Sequence, residues 1–207
     1  MARAEADHPC QIYLAMPADA DTGLLARLLD GDSVAALLLY CEGEPPEAVA
    51  REVVATAHAR RLPVLLADTP ELGRKVGADG VHIPANEERY AACRKVLGAE
   101  AIIGAGCGTS RHDALVLGEL GADYVAFGPE PGRTDKQDVT ELVSWWQEVC
   151  EPPVVGWHSG GWEEAAALID AGADFIGVSA LIWDAKDPEA ALDQLNSMIA
   201  ERQRGTT

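Results

Sequence analysis

The chain has 207 residues and a formal net charge of −18, with 34 acidic side chains against 16 basic ones. A surface this acidic repels polyphosphates and anionic lipids, so neither nucleic acid nor a membrane is an expected partner. Nearly half of the residues (48%) are apolar and no linker rich in Pro, Gly or Ser divides the chain, which indicates one domain over residues 1–207.

The amino terminus and the cysteines bear on where the protein works. Residues 1–9 are charged and contain no apolar stretch, so we expect neither a secretion signal nor a membrane span there. The five cysteines are scattered without C-x-x-C spacing, which argues against a disulfide framework and against structural zinc. These features favour a cytoplasmic protein.

Eight short apolar runs rich in Val, Ile and Leu recur along the chain, and each predicts a buried strand. Strands that are apolar on both faces and alternate with helices indicate a parallel sheet covered by helices. The predicted strands, numbered in chain order, are 12–15, 35–40, 64–67, 80–83, 101–105, 124–128, 154–157 and 175–179. Helical spacing occupies stretches between them, among them 46–60, 87–97, 110–120, 139–149, 163–171 and 188–202.

The tripeptide Gly-Ala-Asp occurs three times, at 77–79, 121–123 and 172–174, each time directly before a predicted strand. Each copy predicts the end of a helix, a glycine in the left-handed conformation, a turn and a buried strand. One repeated unit and a count of eight strands favour a single (β/α)₈ TIM barrel of the α/β class. A doubly wound open sheet is the rival, and it is disfavoured because no G-x-G-x-x-G follows the first strand.

In such a barrel the chemistry belongs at the carboxyl ends of the strands. The loops after predicted strands 7 and 8 contain small residues followed by helix starts, which present backbone N–H groups to an anion. They therefore predict a phosphate site. The alternative is that Ser159 only caps the next helix and the glycines form a tight turn. The predicted substrate-binding residues are His158, Ser159, Gly160, Gly161, Ser179 and Ala180.

Two carboxylates, Asp68 and Glu87, follow the adjacent predicted strands 3 and 4 and predict a shared Mg²⁺ ion. Helix capping by Asp68 and a helix-dipole role for Glu87 are the open alternatives. Arg133 and Lys136 are the cations of the predicted upper loops, and both follow strand 6, near the anion site. They are candidates for holding phosphate, with a solvated loop charge as the alternative.

Three further side chains at strand ends have reactive chemistry. His82 and His158 are candidate acid–base groups, because imidazole titrates near neutral pH. Cys107 lies between two glycines and is a weaker candidate for a nucleophile, because no His adjoins it in sequence. Structural roles remain open for all three.

The order of motifs resembles the thiamine-phosphate synthase family and its sister group, the thiazole tautomerases, over roughly residues 35–195. The likeness is clearest at 77–83, 101–109, 121–129 and 171–182. The family's synthase joins hydroxymethylpyrimidine diphosphate to a thiazole phosphate and releases pyrophosphate by a dissociative path. The resemblance implies a small barrel that binds a phosphorylated molecule, with Mg²⁺ on Asp68 and Glu87 and with Lys136 stabilising the leaving group.

Several positions depart from the family's motifs. The motif Gln-Leu-Arg-x-Lys after strand 2 is Leu39-Tyr40-Cys41-Glu42-Gly43, without its cations, and Asn-Asp-Arg after strand 3 is Ala67-Asp68-Thr69. The motif Gly-x-Ser-x-His after strand 5 is Gly104-Ala105-Gly106-Cys107-Gly108, whereas Thr-x-Thr-Lys after strand 6 keeps its lysine as Lys136. We therefore expect thiamine-phosphate synthesis to be very slow or absent.

Two other functions remain open. One is a ligand-binding or regulatory paralogue without catalysis. The other is a different phosphate-binding barrel enzyme, such as an isomerase that uses His82 or His158 as its base. A homo-oligomer is compatible with either, and the sequence assigns no oligomeric state.

Overall fold

The computed structural model describes residues 9–31, 33–133, 137–158 and 161–205. Its strands are β1 (Gln11–Pro17), β2 (Val34–Tyr40), β3 (Val64–Ala67), β4 (Gly80–Pro84), β5 (Ile102–Gly108), β6 (Tyr124–Phe127), β7 (Val154–Trp157) and β8 (Phe175–Val178). All eight are parallel, each pairs with its neighbours in sequence, and β8 pairs with β1 to close the sheet. The predicted (β/α)₈ barrel is confirmed and the open sheet is excluded.

Helices follow the strands and surround the barrel. They are α1 (Thr22–Leu28), α2 (Glu47–His58), α3 (Pro70–Val76), α4 (Glu87–Leu97), α5 (Arg111–Glu119), α6 (Thr140–Val149), α7 (Trp162–Asp170), α8 (Ala180–Trp183) and α9 (Pro188–Gly205). The stretches with helical spacing became α2, α4, α5, α6, α7 and α9, with ends shifted by one to three residues where they differ. Within the described ranges, no helix has both the length and the apolar character that a membrane crossing requires.

The two faces of the strands build two apolar layers, because successive side chains of a strand point to opposite sides. The outer layer lies between strands and helices and holds residues such as Leu14, Val81 and Phe127. The inner layer fills the barrel lumen with large aromatic side chains. Room for them comes from glycines on neighbouring strands, since a Cβ at Gly104 in β5 would collide with the Tyr124 ring in β6. The lumen cluster is Tyr13, Ala15, Leu38, Leu65, Tyr124, Ala126, Val155 and Trp157.

The three Gly-Ala-Asp copies adopt the predicted conformation. Gly77, Gly121 and Gly172 have positive φ angles of 77°, 93° and 90°, a region that residues with a Cβ rarely adopt. Each glycine ends the helix before it and turns the chain into the next strand. The repeat is therefore a helix-to-strand connector used three times in one barrel.

The aspartate of each copy does more than form a turn. Asp79, Asp123 and Asp174 each accept a hydrogen bond through the carboxylate oxygen Oδ2. The donor is the backbone N–H of the first or second residue of the preceding strand. The donors are Val64 in β3 at 2.8 Å, Ile103 in β5 at 2.7 Å and Val154 in β7 at 2.7 Å. The backbone N–H of each aspartate returns a bond to the carbonyl of the same residue. This two-bond clamp fixes the register of neighbouring strands at the amino-terminal end of the barrel.

The same carboxylates also reach the helix that precedes the clamped strand. The bonded helix side chains are His58 on α2 at 2.8 Å, Arg94 on α4 at 3.1 Å and Gln147 on α6 at 2.7 Å. Each aspartate thus joins one helix and two strands through a single carboxylate oxygen.

Replacing Asp123 with Ala should lower the free energy of unfolding by about 1–3 kcal/mol, because the N–H of the buried Ile103 loses its acceptor. Asp123→Asn keeps an acceptor oxygen and should recover most of the loss. Urea unfolding measures both variants. The control is Asp193→Ala on the exposed side of α9, which should change stability by less than about 0.5 kcal/mol. Equal, small effects at both positions would show that the carboxylate does not hold the strand.

Candidate functional site at the carboxyl rim

The closed parallel sheet brings all strand ends to one rim. Asp68 follows β3, His82 lies in β4, Cys107 lies near the end of β5 and His158 follows β7, so all four belong to the same end of the barrel, as predicted. Cys107 nevertheless packs in the outer layer, between strands and helices. Burial raises the pKa of its thiol to about 12, which leaves it protonated near neutral pH and unsuited to act as a nucleophile.

Asp68 forms an ion pair that the sequence did not predict. Its Oδ1 accepts a hydrogen bond from Arg89 Nε at 2.6 Å, and its backbone carbonyl accepts one from the same guanidinium at 2.6 Å. Arg89 lies in the first turn of α4, whose amino end is capped by the Asn86 side chain at 2.7 Å. The rim thus holds a cation outside the loops that contain Arg133 and Lys136.

The backbone of Asp68 has φ +47°, in the left-handed region that non-glycine residues rarely occupy. Thr69 is the residue at the cap position of α3, and its side chain makes no capping hydrogen bond. Asp68 therefore does not cap α3. Its carboxylate instead bonds Arg89 on α4.

Glu87 is exposed in the first turn of α4, where a carboxylate suits the helix dipole. It lies in the same turn as Arg89, the partner of Asp68, so both predicted metal ligands border the start of α4. Their oxygen atoms are of the kind that Mg²⁺ prefers. Within the part of the chain that the structure describes, no three Asp, Glu, His or Cys side chains are grouped closely enough to hold a metal. A Mg²⁺ ion here would need substrate oxygens or water to complete its coordination.

The corner between β7 and β8 is described in part. Gly161 occupies the cap position of α7 in an extended conformation, and Ser179 occupies that of α8 without a capping bond from its side chain. Ala180 is the first residue of α8. Ser159, Gly160 and the predicted catalytic Lys136 lie outside the described residues.

Tyr40, at the end of β2, reaches past the end of β1 to this corner. Its hydroxyl and Ser179 Oγ are 2.8 Å apart, so the two share a hydrogen bond. The Tyr40 ring packs against Gly132 in the loop after β6, where a Cβ would lie 3.0 Å from the ring. The Tyr40 phenol therefore orients the Ser179 hydroxyl. The resembled motif has no aromatic residue at the position of Tyr40.

A cavity of about 380 Å³ opens beside the corner, between the start of α6 and α7. His158 lines it, and burial lowers the pKa of this imidazole to about 4, although Glu164 in the first turn of α7 opposes that shift. Neutral His158 and several carboxylates make the cavity a poor place for phosphate. Its lining includes Gln137, Asp138, Thr140, Trp157, His158, Glu163 and Glu164.

A chain of hydrogen bonds runs through the barrel lumen to the mouth. The hydroxyls of Tyr13 and Tyr124 are 2.9 Å apart, and the Tyr124 hydroxyl lies 2.8 Å from His82 Nδ1. The His82 ring stacks on Tyr124 and meets Trp157 edge-on. Among the described residues, the buried His82 Nε2 has no hydrogen-bond partner. The lumen thus holds a fixed imidazole with one nitrogen available to a ligand.

Glu130 is the principal residue at the mouth that the sequence analysis passed over. It follows β6, and its Oε1 lies next to Gly106 at the end of β5. Burial raises the pKa of this half-buried carboxyl, the nearby Arg133 opposes the shift, and Asp68 adds to it. In the sequence, Glu130 is a charged residue in a loop rich in Pro and Gly, which predicts a solvent-exposed side chain. Nothing in the sequence therefore indicated that it lies at the barrel mouth.

By fold and by the polar groups at its carboxyl rim, the chain is a (β/α)₈ barrel of the kind that carries chemistry at its strand ends. The model of the thiamine monophosphate synthase family matches residues 39–182. Thiamine-phosphate synthase of Rhodospirillum centenum is 38% identical over 202 residues, which cover 92% of this chain and 98% of the relative. That of Erythrobacter litoralis is 35% identical over 211 residues, 95% of this chain and 99% of the relative. The chain belongs to the thiamine-phosphate synthase family.

Solved structures agree on the architecture. Thiamine phosphate pyrophosphorylase from Pyrococcus furiosus superposes with a TM-score of 0.78 at 19% identity, covering 92% of this chain and 96% of its own. (S)-3-O-geranylgeranylglyceryl phosphate synthase from Thermoplasma acidophilum gives 0.70 at 15% identity, with 93% and 94% covered. At these identities the likeness shows the fold alone.

Burial lowers the pKa of His82 to about 4, from an ordinary value of 6.5. His82 therefore becomes protonated below pH ~6.5 in the unfolded chain but only below about pH 4 in the folded protein. Its contribution to the free energy of unfolding falls as the pH drops through that window. His82→Gln should reduce the slope of unfolding free energy against pH there by up to about 1.4 kcal/mol per pH unit. The control is His112→Gln on exposed α5, and urea unfolding at several pH values is the measurement. Parallel slopes for wild type and His82→Gln would contradict a buried neutral imidazole.

Proposed function

We propose that this chain binds a phosphorylated small molecule at its carboxyl rim and acts as a slow thiamine-phosphate synthase. The observation that carries the proposal is its relationship to a synthase along 98% of that relative's length, together with the convergence of polar groups at one rim. In the reaction, the bond between the pyrimidine methylene and the diphosphate breaks, and the thiazole nitrogen takes its place. The chemistry requires two anion sites, one for each phosphorylated substrate. We also assign the protein to the cytoplasm, as its sequence favours.

The thiazole phosphate is assigned to the corner between β7 and β8. Backbone N–H groups at the start of α8 and the Ser179 hydroxyl face the end of β8, and Gly161 begins α7 on the other side. Tyr40 holds Ser179 Oγ by a 2.8 Å hydrogen bond, so the hydroxyl is oriented before a ligand arrives. The acid-lined cavity between α6 and α7 favours the β8 side of this corner for the phosphate.

The departing diphosphate is assigned to the opposite side of the mouth. Asp68 and Glu87 would hold Mg²⁺, and the ion when bound would neutralise charge on the diphosphate. Lys136 and Arg133 from the loop after β6 would bind the same diphosphate, with Lys136 in the role of stabilising the leaving group. Arg89 competes with the metal for Asp68, since its guanidinium already bonds that carboxylate.

We expect a low rate of thiamine-phosphate synthesis because the rim lacks positive charges that the family's motifs have. Cys41 and Gly43 replace cations of the resembled motif after β2, and Thr69 replaces an arginine after β3. Groups that stabilise transition-state charge contribute about 3–4 kcal/mol each. Arg89 restores one positive charge beside Asp68 but is engaged by that carboxylate. Stabilisation of the leaving group is therefore weaker here than the family's motifs provide.

Thiamine-phosphate synthesis should proceed at least about 10³-fold more slowly than in a synthase that has these cations, since each tenfold in rate corresponds to about 1.4 kcal/mol. The measurement uses purified protein, both thiamine precursors and Mg²⁺, with product followed by fluorescence after oxidation. A thiamine-phosphate synthase that has the cations after β2 and β3, assayed in parallel, is the reference. Equal turnover numbers would show that Arg89 or Arg133 replaces the missing cations in full.

Asp68→Asn should weaken diphosphate binding in the presence of Mg²⁺ and change it little in EDTA, because the variant removes a metal ligand and not a phosphate contact. Asn tolerates the positive φ at this position, so the backbone is expected to persist. Isothermal titration with pyrophosphate measures both conditions, and Glu88→Gln in the same exposed turn of α4 is the control. Equal losses with and without Mg²⁺ would assign Asp68 to holding Arg89 instead.

Ser179→Ala should reduce the affinity for thiazole phosphate by about five- to tenfold, because one hydrogen bond to a charged group is lost. Tyr40→Phe removes the bond that orients this hydroxyl and should produce a smaller loss in the same direction. The affinity for the unphosphorylated thiazole alcohol should be unchanged in both variants. A Ser179→Ala variant with wild-type affinity for the phosphate would move the anion site away from β8.

A ligand-binding paralogue without turnover is the second candidate. The observation that favours it is the carboxylate of Glu130 at the mouth, which adds negative charge where a diphosphate must depart. Binding of both substrates without any product would support this alternative. An isomerase is less favoured, because His82 Nδ1 is bonded to Tyr124 and burial lowers the pKa of both His82 and His158 to about 4, which makes them weak bases.

A further inference from the structure

At the centre of the barrel mouth, the bare Cα of Gly106 lets two polar side chains approach the same point of the sheet. Gly106 pairs with Pro84 in β4 and with Ala126 in β6, on the face of the sheet that lines the lumen. A Cβ at this position would lie 2.5 Å from Glu130 Oε1 and 3.0 Å from His82 Nε2. A carboxylate and an imidazole therefore lie side by side over this glycine.

The His82 imidazole is held rigidly. His82 is 2% exposed, and Tyr124 holds its Nδ1 while stacking on the ring at a centroid distance of 5.7 Å. Within the described ranges Nε2 has no hydrogen-bond partner, and a buried polar nitrogen in that state costs free energy. When the Tyr124 hydroxyl donates to Nδ1, neutral His82 carries its proton on Nε2 and can donate it. The orphaned nitrogen points to a ligand that accepts this bond.

The carboxylate has the opposite preference. Glu130 accepts hydrogen bonds through its carboxylate oxygens, with the positive charge of Arg133 and the negative charge of Asp68 both acting on it. An N–H donor of a ligand is attracted to these oxygens. The two side chains therefore offer one acceptor and one donor side by side, which complements a ring that carries an amino group next to a ring nitrogen.

We propose that Glu130 is a specificity-determining residue that accepts a hydrogen bond from a ring amino group of the ligand, while His82 Nε2 donates to the adjacent ring nitrogen. The inference rests on the proposed function, because hydroxymethylpyrimidine diphosphate carries an amino group beside a ring nitrogen. It goes beyond that function by naming a residue that supplies the selectivity. The same carboxylate keeps the diphosphate out of the centre, so the ring lies over Gly106 and the anionic groups lie toward the rim.

The test compares two uncharged probes, 4-amino-5-hydroxymethyl-2-methylpyrimidine and its analogue without the amino group, by isothermal titration. Wild-type protein should bind the amino compound about tenfold or more tightly than the analogue, as expected for a hydrogen bond to a charged group. Glu130→Ala should bring the two affinities within about twofold of each other, and Glu130→Gln, which keeps an uncharged acceptor oxygen, should lie between. Glu88→Gln removes the same charge from exposed α4 and should leave the ratio as in wild type.

Thiazole phosphate, titrated into every variant, separates failure of this inference from failure of the proposed function. Wild-type protein that binds thiazole phosphate but shows no preference between the two pyrimidines would overturn the role of Glu130 and leave the phosphate site standing. An unchanged preference in Glu130→Ala would overturn it as well. Wild-type protein that binds none of the three compounds would overturn both. Gly106→Ala is the independent variant, and it should abolish selectivity for the amino group because its methyl would displace the Glu130 carboxylate from its place beside His82.

Discussion

The structure depends most on one repeated contact, the bond from an aspartate carboxylate to the first N–H groups of the neighbouring strand. A barrel closes only when every pair of strands keeps its register, because a slip by one residue would turn lumen side chains outward. Asp79, Asp123 and Asp174 hold that register at three of the eight strand pairs, and each also binds the helix that precedes the clamped strand. The repeat of Gly-Ala-Asp in the sequence is the mark of this contact.

The two ends of the barrel have different roles, and the aspartate clamps lie at only one of them. At the amino-terminal end, glycines with positive φ and aspartates tie helices to strands, and the residues there serve stability. At the carboxyl end, the strands run into loops, and the polar groups are held from within the lumen or from helix starts. His82 is fixed by Tyr124 and Tyr13, Asp68 by Arg89, and Ser179 by Tyr40. Function can therefore vary at this rim while the other end maintains the fold.

The sequence predicted the fold well because most strands are apolar runs with Gly, Pro or Asp at one end or both. The predicted bounds of β3 and β7 match the structure, and those of α4 do as well. It predicted the positive φ of Gly77 because few residues other than glycine end a helix in that way. It missed the role of Asp79 and its counterparts, since a turn residue and a clamp look alike when the partner strand is 15 residues away.

The site was harder to predict because its residues meet only across the barrel. Arg89 reads as an exposed helix residue until the left-handed backbone of Asp68 directs a carboxylate toward it. Glu130 reads as a loop charge, and its place beside His82 depends on the bare Cα of Gly106 on another strand. Tyr40 was noted only as part of a motif that has lost its cations, yet its hydroxyl reaches Ser179 past the end of β1. The family relationship predicts where the site lies in the barrel. The contacts of Arg89, Glu130 and Tyr40 are the features of the site that could be found only from the structure.

The most direct test of the rim as the ligand site is a crystal structure of the protein soaked with thiamine phosphate, pyrophosphate and Mg²⁺. We expect the phosphate ester within hydrogen-bond distance, about 3 Å, of Ser179 Oγ and of the backbone N–H of Ala180. The pyrimidine ring should lie over Gly106, between Glu130 and His82, and pyrophosphate should lie on the Asp68 side of the mouth. Ligand density at the amino-terminal end of the barrel, with an unliganded mouth in the same crystal, would contradict this assignment.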